Sequence, residues 1–302
     1  MTPTMSSVAD TRMSSRSSAI GLVLVGIASV QLGAGVAKNL FDEVSPTGMV
    51  WLRLASSSLI LLVIARPRVR GRGRRDWLVV LGFGATLGLM NWAIYQSFSR
   101  IPIGIAVTIE FTGPLAVAVL GSRRARDLAW VGLAAAGVLL LGLERTDLDG
   151  IGVACAFLAA ASWAAYILLS AGTGRRWEGL DGLAVASVVA VLLLTPSLAA
   201  IDRDPLTDGR ILLLGAAVGL LGSVIPYSCE LVALRRLRPA LFGVLMSLEP
   251  AAAALAGLLV VGERLSVVQW LAIACVVGAS VGATRTGAPD EPTGSVDPQP
   301  VG

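Results

Sequence analysis

The chain has no histidine and a single lysine among its 302 residues. Without histidine, the commonest metal ligand and the commonest general base are both missing. Neither a zinc site nor a Ser-His-Asp triad can be assembled, and no metal or cofactor is expected. Cysteine is scarce too. Cys155, Cys229 and Cys275 stand inside apolar runs, where an odd number reads as small buried hydrophobes and not as a disulfide framework. Charged residues make up only 15% of the chain, against about 25% in a soluble domain. No GxxxxGK[ST] phosphate loop occurs, so nothing in the chain supports ATP-driven chemistry. These absences argue against an enzyme, including an intramembrane one that would need a nucleophile, base or metal cluster.

What is plentiful is apolar surface. Apolar residues make up 55% of the chain and the mean hydropathy is +0.77, which suits a bilayer better than water. A spanning helix needs about 20 mostly apolar residues. Ten such runs are legible: 19–38, 46–65, 77–98, 102–121, 128–143, 151–170, 182–201, 211–233, 240–261 and 267–284. The expectation is an all-α integral membrane protein with ten transmembrane helices.

Arginine sets the orientation. With the N-terminus in the cytoplasm, 17 Lys and Arg residues fall on inside segments and six on outside ones, with Arg53 left within a span. The positive-inside rule then places both termini in the cytoplasm. The arginine-rich stretch 66–75 reads as a topology determinant in contact with anionic lipid, not as a nucleic-acid patch. Residues 1–17, rich in Ser and Thr, and residues 286–302, rich in Pro, Gly and acid, are expected to be disordered.

The two halves of the chain echo each other. Arg100 precedes Pro114 by 14 residues, and Arg236 precedes Pro250 by 14. Pro102 and Pro239 open the fourth and ninth runs. Five spans per half invert the second half in the membrane, so two inverted five-helix repeats are expected over 18–143 and 151–285. Secondary transporters are commonly built this way, with the site near the midplane where the repeats meet.

A charge in a span costs about 2.5–3.5 kcal/mol on insertion scales, so Arg53, Glu110, Glu230 and Glu249 need explaining. Arg53 and Glu110 lie about 10 and 12 Å deep from the same side at 1.5 Å per residue. They can form a packing ion pair, or Glu110 can face a cavity with Arg53 orienting it or meeting an anionic group of a substrate. Glu249 lies near mid-membrane with no basic residue at its depth, as a carrier of a proton or an amine. Glu230, close in sequence to Arg235 and Arg236, reads as interfacial.

Pro114, Pro226 and Pro250 break the helical ladder beside these carboxyls. Broken backbone is tolerated in a membrane where it is buried or lines a cavity. Asn91, Tyr95 and Tyr227, with Gln31, Gln96, Ser162, Tyr166 and Ser247, are polar at moderate depth, as helix–helix hydrogen bonds or as a cavity lining. Lys38, at the outer end of the first run, is either a snorkelling interfacial residue or an amine that can lose its proton.

The segments PIGIAVTIEFTGPLAVAVLGSRR (102–124), PYSCELVALRRL (226–237) and FGVLMSLEPAAAALAG (242–257) resemble the threonine/homoserine exporter family. That family belongs to the drug/metabolite transporter superfamily, with paired EamA-type domains. GAGVAKNLF (33–41) and ASWAAYIL (161–168) are similar to it as well. The resemblance covers roughly 19–284. It implies a multi-pass exporter of small amino acids in a bacterial inner membrane, driven by the proton gradient. It places the family's motif residues on Glu110, Glu249, Lys38 and Arg53. Leu248 stands where the family pattern has Met. The cargo is left open between a threonine-like amino acid and another metabolite or lipophilic cation.

Overall fold

The computed structural model describes residues 5–120, 127–143, 148–234, 236–237 and 239–287. The regular elements among the described residues are all helices, with no strand. The expected tail at 286–302 lies outside them beyond residue 287.

The helices begin where the sequence supplies caps. Helix α2 (Pro46–Ala65) starts with proline at its first position, and the Ser45 hydroxyl accepts from Gly48 N at 3.2 Å. It ends on Arg66 in a left-handed conformation, φ 48°, immediately before Pro67, which cannot continue a helix. Helix α1 (Met5–Asn39) precedes it and is continuous back across residues expected to be disordered. Helix α3 (Arg74–Phe98) opens with Asp76, whose carboxylate accepts from Gly73 N at 3.0 Å. Such caps satisfy donors that a helix start leaves bare.

The fourth run is split into two short helices, α4 (Ile103–Glu110) and α5 (Thr112–Leu120). Helix α6 (Asp127–Leu143) follows. Then come α7 (Gly150–Gly174), capped by Asp149, and α8 (Asp181–Leu194), prolonged by a 3₁₀ stretch to Ala200. Helix α9 (Gly209–Gly219) passes through a π-helical turn, Leu220–Val224, into α10 (Ile225–Leu234). The ninth run is also split, into α11 (Pro239–Met246) and α12 (Glu249–Ala256), and ends in a second π turn, Gly257–Val261. Helix α13 (Val267–Gly287) is the last described element.

Among the described residues, nine segments are long and apolar enough to cross a membrane. The expected span at 128–143 coincides with α6, whose apolar stretch among the described residues is Leu128–Leu141. Leu59, Leu120, Leu213 and Leu259 are largely exposed on the outside of the bundle, as lipid-facing positions should be. The protein is a multi-pass membrane protein.

Small residues bring the broken helices together. A Cβ on Gly104 of α4 would stand 2.7 Å from Ala254 Cα of α12, and one on Gly113 of α5 would meet the Ala160 carbonyl of α7. Backbones approach this closely only over glycine and alanine.

Ion pairs tie up both ends of the bundle. At one end Lys38 Nζ lies 2.6 Å from Glu263 Oε1 and donates to the Ile101 carbonyl at 2.8 Å. Glu263 Oε2 accepts from Ile103 N at 2.9 Å. The same end holds Arg210 against Glu43, and Arg100 3.2 Å from Asp149. At the opposite, arginine-rich end Arg176 pairs with Asp76 at 3.0 Å, and Arg72 lies over the Trp177 ring.

Candidate functional site

Each split in the bundle has a carboxyl at its edge. Glu110 is the last residue of α4 and Glu249 the first of α12. Pro114 takes the donor away from the Glu110 carbonyl, and Pro250 does the same to Met246. Hydroxyls bond other carbonyls close to the splits. Thr112 Oγ1 donates to the Ile109 carbonyl at 2.7 Å, and Ser247 Oγ donates to the Gly243 carbonyl at 2.8 Å and meets Ser280 Oγ at 2.7 Å. The third proline works likewise. Gly222 lies four residues before Pro226, and its carbonyl accepts from Arg53 Nη2 at 2.7 Å. The neighbouring Leu221 carbonyl accepts from Ser29 Oγ at 2.8 Å.

Between these breaks lies a cavity of about 190 Å³. Arg53, Asn91, Glu110, Tyr227 and Glu249 line it together with Gln31, Tyr166 and Glu230. Val107, Trp163 and Met246 are among its apolar walls. Glu110 and Glu249 are 8% and 9% exposed, so their charge is held away from bulk water. Asn91 Nδ2 is occupied by the Leu87 carbonyl at 2.9 Å.

Arg53 and Glu110 share the cavity, but among the described residues they make no ion pair. The guanidinium is held instead by Gly222 O and by the Tyr95 hydroxyl at 3.4 Å, with the Tyr95 ring 5.5 Å beneath it. Arg53 Nε is buried and has no hydrogen-bond partner. A buried guanidinium donor without an acceptor is costly; Nε packs against Gly222, while the side chain as a whole lines the cavity, where it can meet an anion.

Tyr95 is fully buried behind Arg53 and supports it without lining the cavity. Tyr227 stands among Arg53, Tyr166, Glu230 and Glu249. The chain has three tyrosines, and all of them lie at this site or against its arginine. Lys38 is placed elsewhere, in the ion pair with Glu263 at one end of the bundle.

Glu230, read from the sequence as interfacial, lines the cavity. Its closeness in sequence to Arg235 and Arg236 obscured this. The available signal was helical spacing: Glu230 follows Pro226 by four residues and Tyr227 by three, which sets all three on one face of α10.

A second cavity of about 300 Å³ adjoins the first. Trp163, Glu230 and Met246 line both. The remaining walls of the second include Phe111, Pro114 and Phe242, with the hydroxyls of Ser280 and Thr284.

Comparison with known proteins gives the same outline. Residues 150–285 match the EamA-like transporter family. The chain is 42% identical over 268 residues to the threonine/homoserine exporter RhtA of Salmonella typhimurium strain SL1344, covering 88% of this chain and 90% of the relative. It is 42% identical over 270 residues to RhtA of Escherichia coli strain K12, covering 88% and 91%. An uncharacterized transporter of Bacillus subtilis, YwfM, is 34% identical over 182 residues, covering 59% of this chain and 60% of the relative. A crystal structure 19% identical in sequence superposes with a TM-score of 0.60, covering 88% of this chain and 97% of that one.

Proposed function

Because the chain belongs to the threonine/homoserine exporter family of EamA-like transporters, we propose that it exports small threonine-like amino acids across a bacterial inner membrane by proton antiport. The spans form ten helices in two inverted five-helix repeats, with both termini in the cytoplasm. The cavity at the two helix breaks opens alternately to either side. A substrate carboxylate meets Arg53. Glu110 and Glu249 hold the substrate ammonium or a coupling proton, so that substrate and proton compete and the inward proton gradient drives export.

The observation that carries this reading is the pairing of opposite chemistries in one small space. Arg53 and the carboxyls of Glu110 and Glu249 line the same cavity. An amino acid carries the two complementary groups on one carbon. A lipophilic cation would leave Arg53 unanswered.

The test is efflux of preloaded radiolabelled threonine from proteoliposomes, with and without an imposed pH gradient. Gradient-stimulated efflux is expected, with losses of at least tenfold in Glu249→Gln and Glu110→Gln. Wild-type rates in both variants would refute the carboxyl assignment. Absence of threonine efflux from folded protein would discard the cargo and turn the search to other amino acids and then to cations.

A further inference from the structure

Glu230 has no part in the assignment above, yet it occupies the junction of the two cavities. The second cavity extends from there toward the arginine-rich end of the bundle. Pro114 lies beyond Glu110 along the split fourth span, and Thr284 lies in the last turn of α13. Among the described residues, Glu230 is the one ionisable side chain on its walls. A proton leaving Glu110 or Glu249 by this route crosses mostly apolar surface, with Glu230 as its first carboxylate acceptor.

The neighbourhood of Glu230 favours a transfer site over an ion pair. Tyr166 of α7, Tyr227 of its own helix, Glu249 of α12, Glu110 of α4 and Arg53 of α2 line the central cavity with it. Helix α1 runs along α10, and residues 18–37 contain no ionisable side chain; neither does α11. Among the described residues no cation pairs with the carboxylate; Arg53 is held by Gly222 and Tyr95.

We propose that Glu230 is the proton-transfer residue linking the central cavity to the arginine-rich end. A proton leaves the Glu249 carboxyl and forms a new O–H bond on the Glu230 carboxylate. Glu249 is left ionised, and Glu230 then releases the proton to water in the second cavity. No oxidant or further reactant takes part. The inference rests on the proton-antiport reading, and it assigns to Glu230 a part in coupling.

Three readouts on wild type, Glu230→Gln and Glu230→Asp test it. The first is exchange of radiolabelled for unlabelled threonine at equal pH on both sides, which needs no net proton movement. The second is threonine transport driven by a pH gradient. The third needs no cargo: infrared absorption of protonated carboxyls after a rapid pH jump, with the Glu249 band identified by its loss in Glu249→Gln. Glu230→Gln is expected to lose gradient-driven transport at least tenfold, a larger loss than that of exchange, and to slow the Glu249 band at least fivefold. Glu230→Asp is expected to recover part of both losses. An unchanged Glu249 rate in Glu230→Gln overturns the proposal, as does loss of exchange in step with gradient-driven transport. If wild type moves no threonine, the cargo reading fails by itself and the infrared arm still decides the role of Glu230.

Discussion

Arg53 Nη2 donates at 2.7 Å to the Gly222 carbonyl, the one that Pro226 leaves without its helical partner. A break in one helix thereby fixes the cation of another. The geometry also makes Gly222 sensitive, because a Cβ there would stand 2.9 Å from Arg53 Nε. Gly222→Ala is expected to push the guanidinium aside, leave the fold intact and weaken threonine binding about tenfold or more. Calorimetric titration beside a melting curve checks this, and unchanged affinity would refute it.

Lys38 and Glu263 join the first helix to the turn after the second π segment, with side chains 19% and 12% exposed. Removing one partner of a buried pair strands the other charge, by about 3–5 kcal/mol when burial is complete. This pair is only partly enclosed, so Lys38→Ala is expected to destabilise by less than that. The double variant Lys38→Ala/Glu263→Gln should melt above the single one. Equal melting temperatures would show that the pair contributes nothing.

Two glycines should respond in opposite directions to the same substitution. Gly104→Ala drives a methyl to 2.7 Å from the Ala254 backbone, and overpacking of this kind costs about 1–3 kcal/mol. Gly132 of α6 has nothing within 4 Å of its added Cβ. Gly132→Ala should be neutral or stabilise by up to about 1 kcal/mol. Chemical denaturation of both variants tests the contrast, which fails if they shift alike.

Asp149 begins α7, accepting from Ile151 N at 2.8 Å and from Arg100 Nη1 at 3.2 Å. The backbone bond first, and Arg100 after it, hold its carboxyl below the usual carboxylate range. A depressed folded-state value contributes stability above the unfolded value, about 3.9, and loses it as pH falls through the folded one. The melting gap between wild type and Asp149→Asn should therefore be widest at neutral pH and close in acid. A gap independent of pH would refute the link.

Much of the architecture could be read from the chain because membranes impose long apolar runs and tolerate proline only at meaningful places. Pro114 and Pro250 marked the two split spans, and depth alone set Arg53 level with Glu110. Both residues line one cavity. The pairing was harder to read. The donors of Arg53 find their acceptors on Tyr95 and Gly222, and Lys38 finds Glu263 more than 200 residues along the chain. Such partners are chosen by how the helices cross, which spacing within one helix does not encode. The run at 128–143 is a helix, and the residues on either side of it lie outside the described ones.

Trp163 touches both cavities, and its ring meets Phe111 edge-on at 5.4 Å, at the split between α4 and α5. None of the other six tryptophans lines either cavity. Indole emission shifts with the polarity around the ring, so the protein carries its own optical gauge at the place where cargo, water and the broken helix meet. With the other six replaced by phenylalanine, the colour of one residue would follow each turnover without any attached dye.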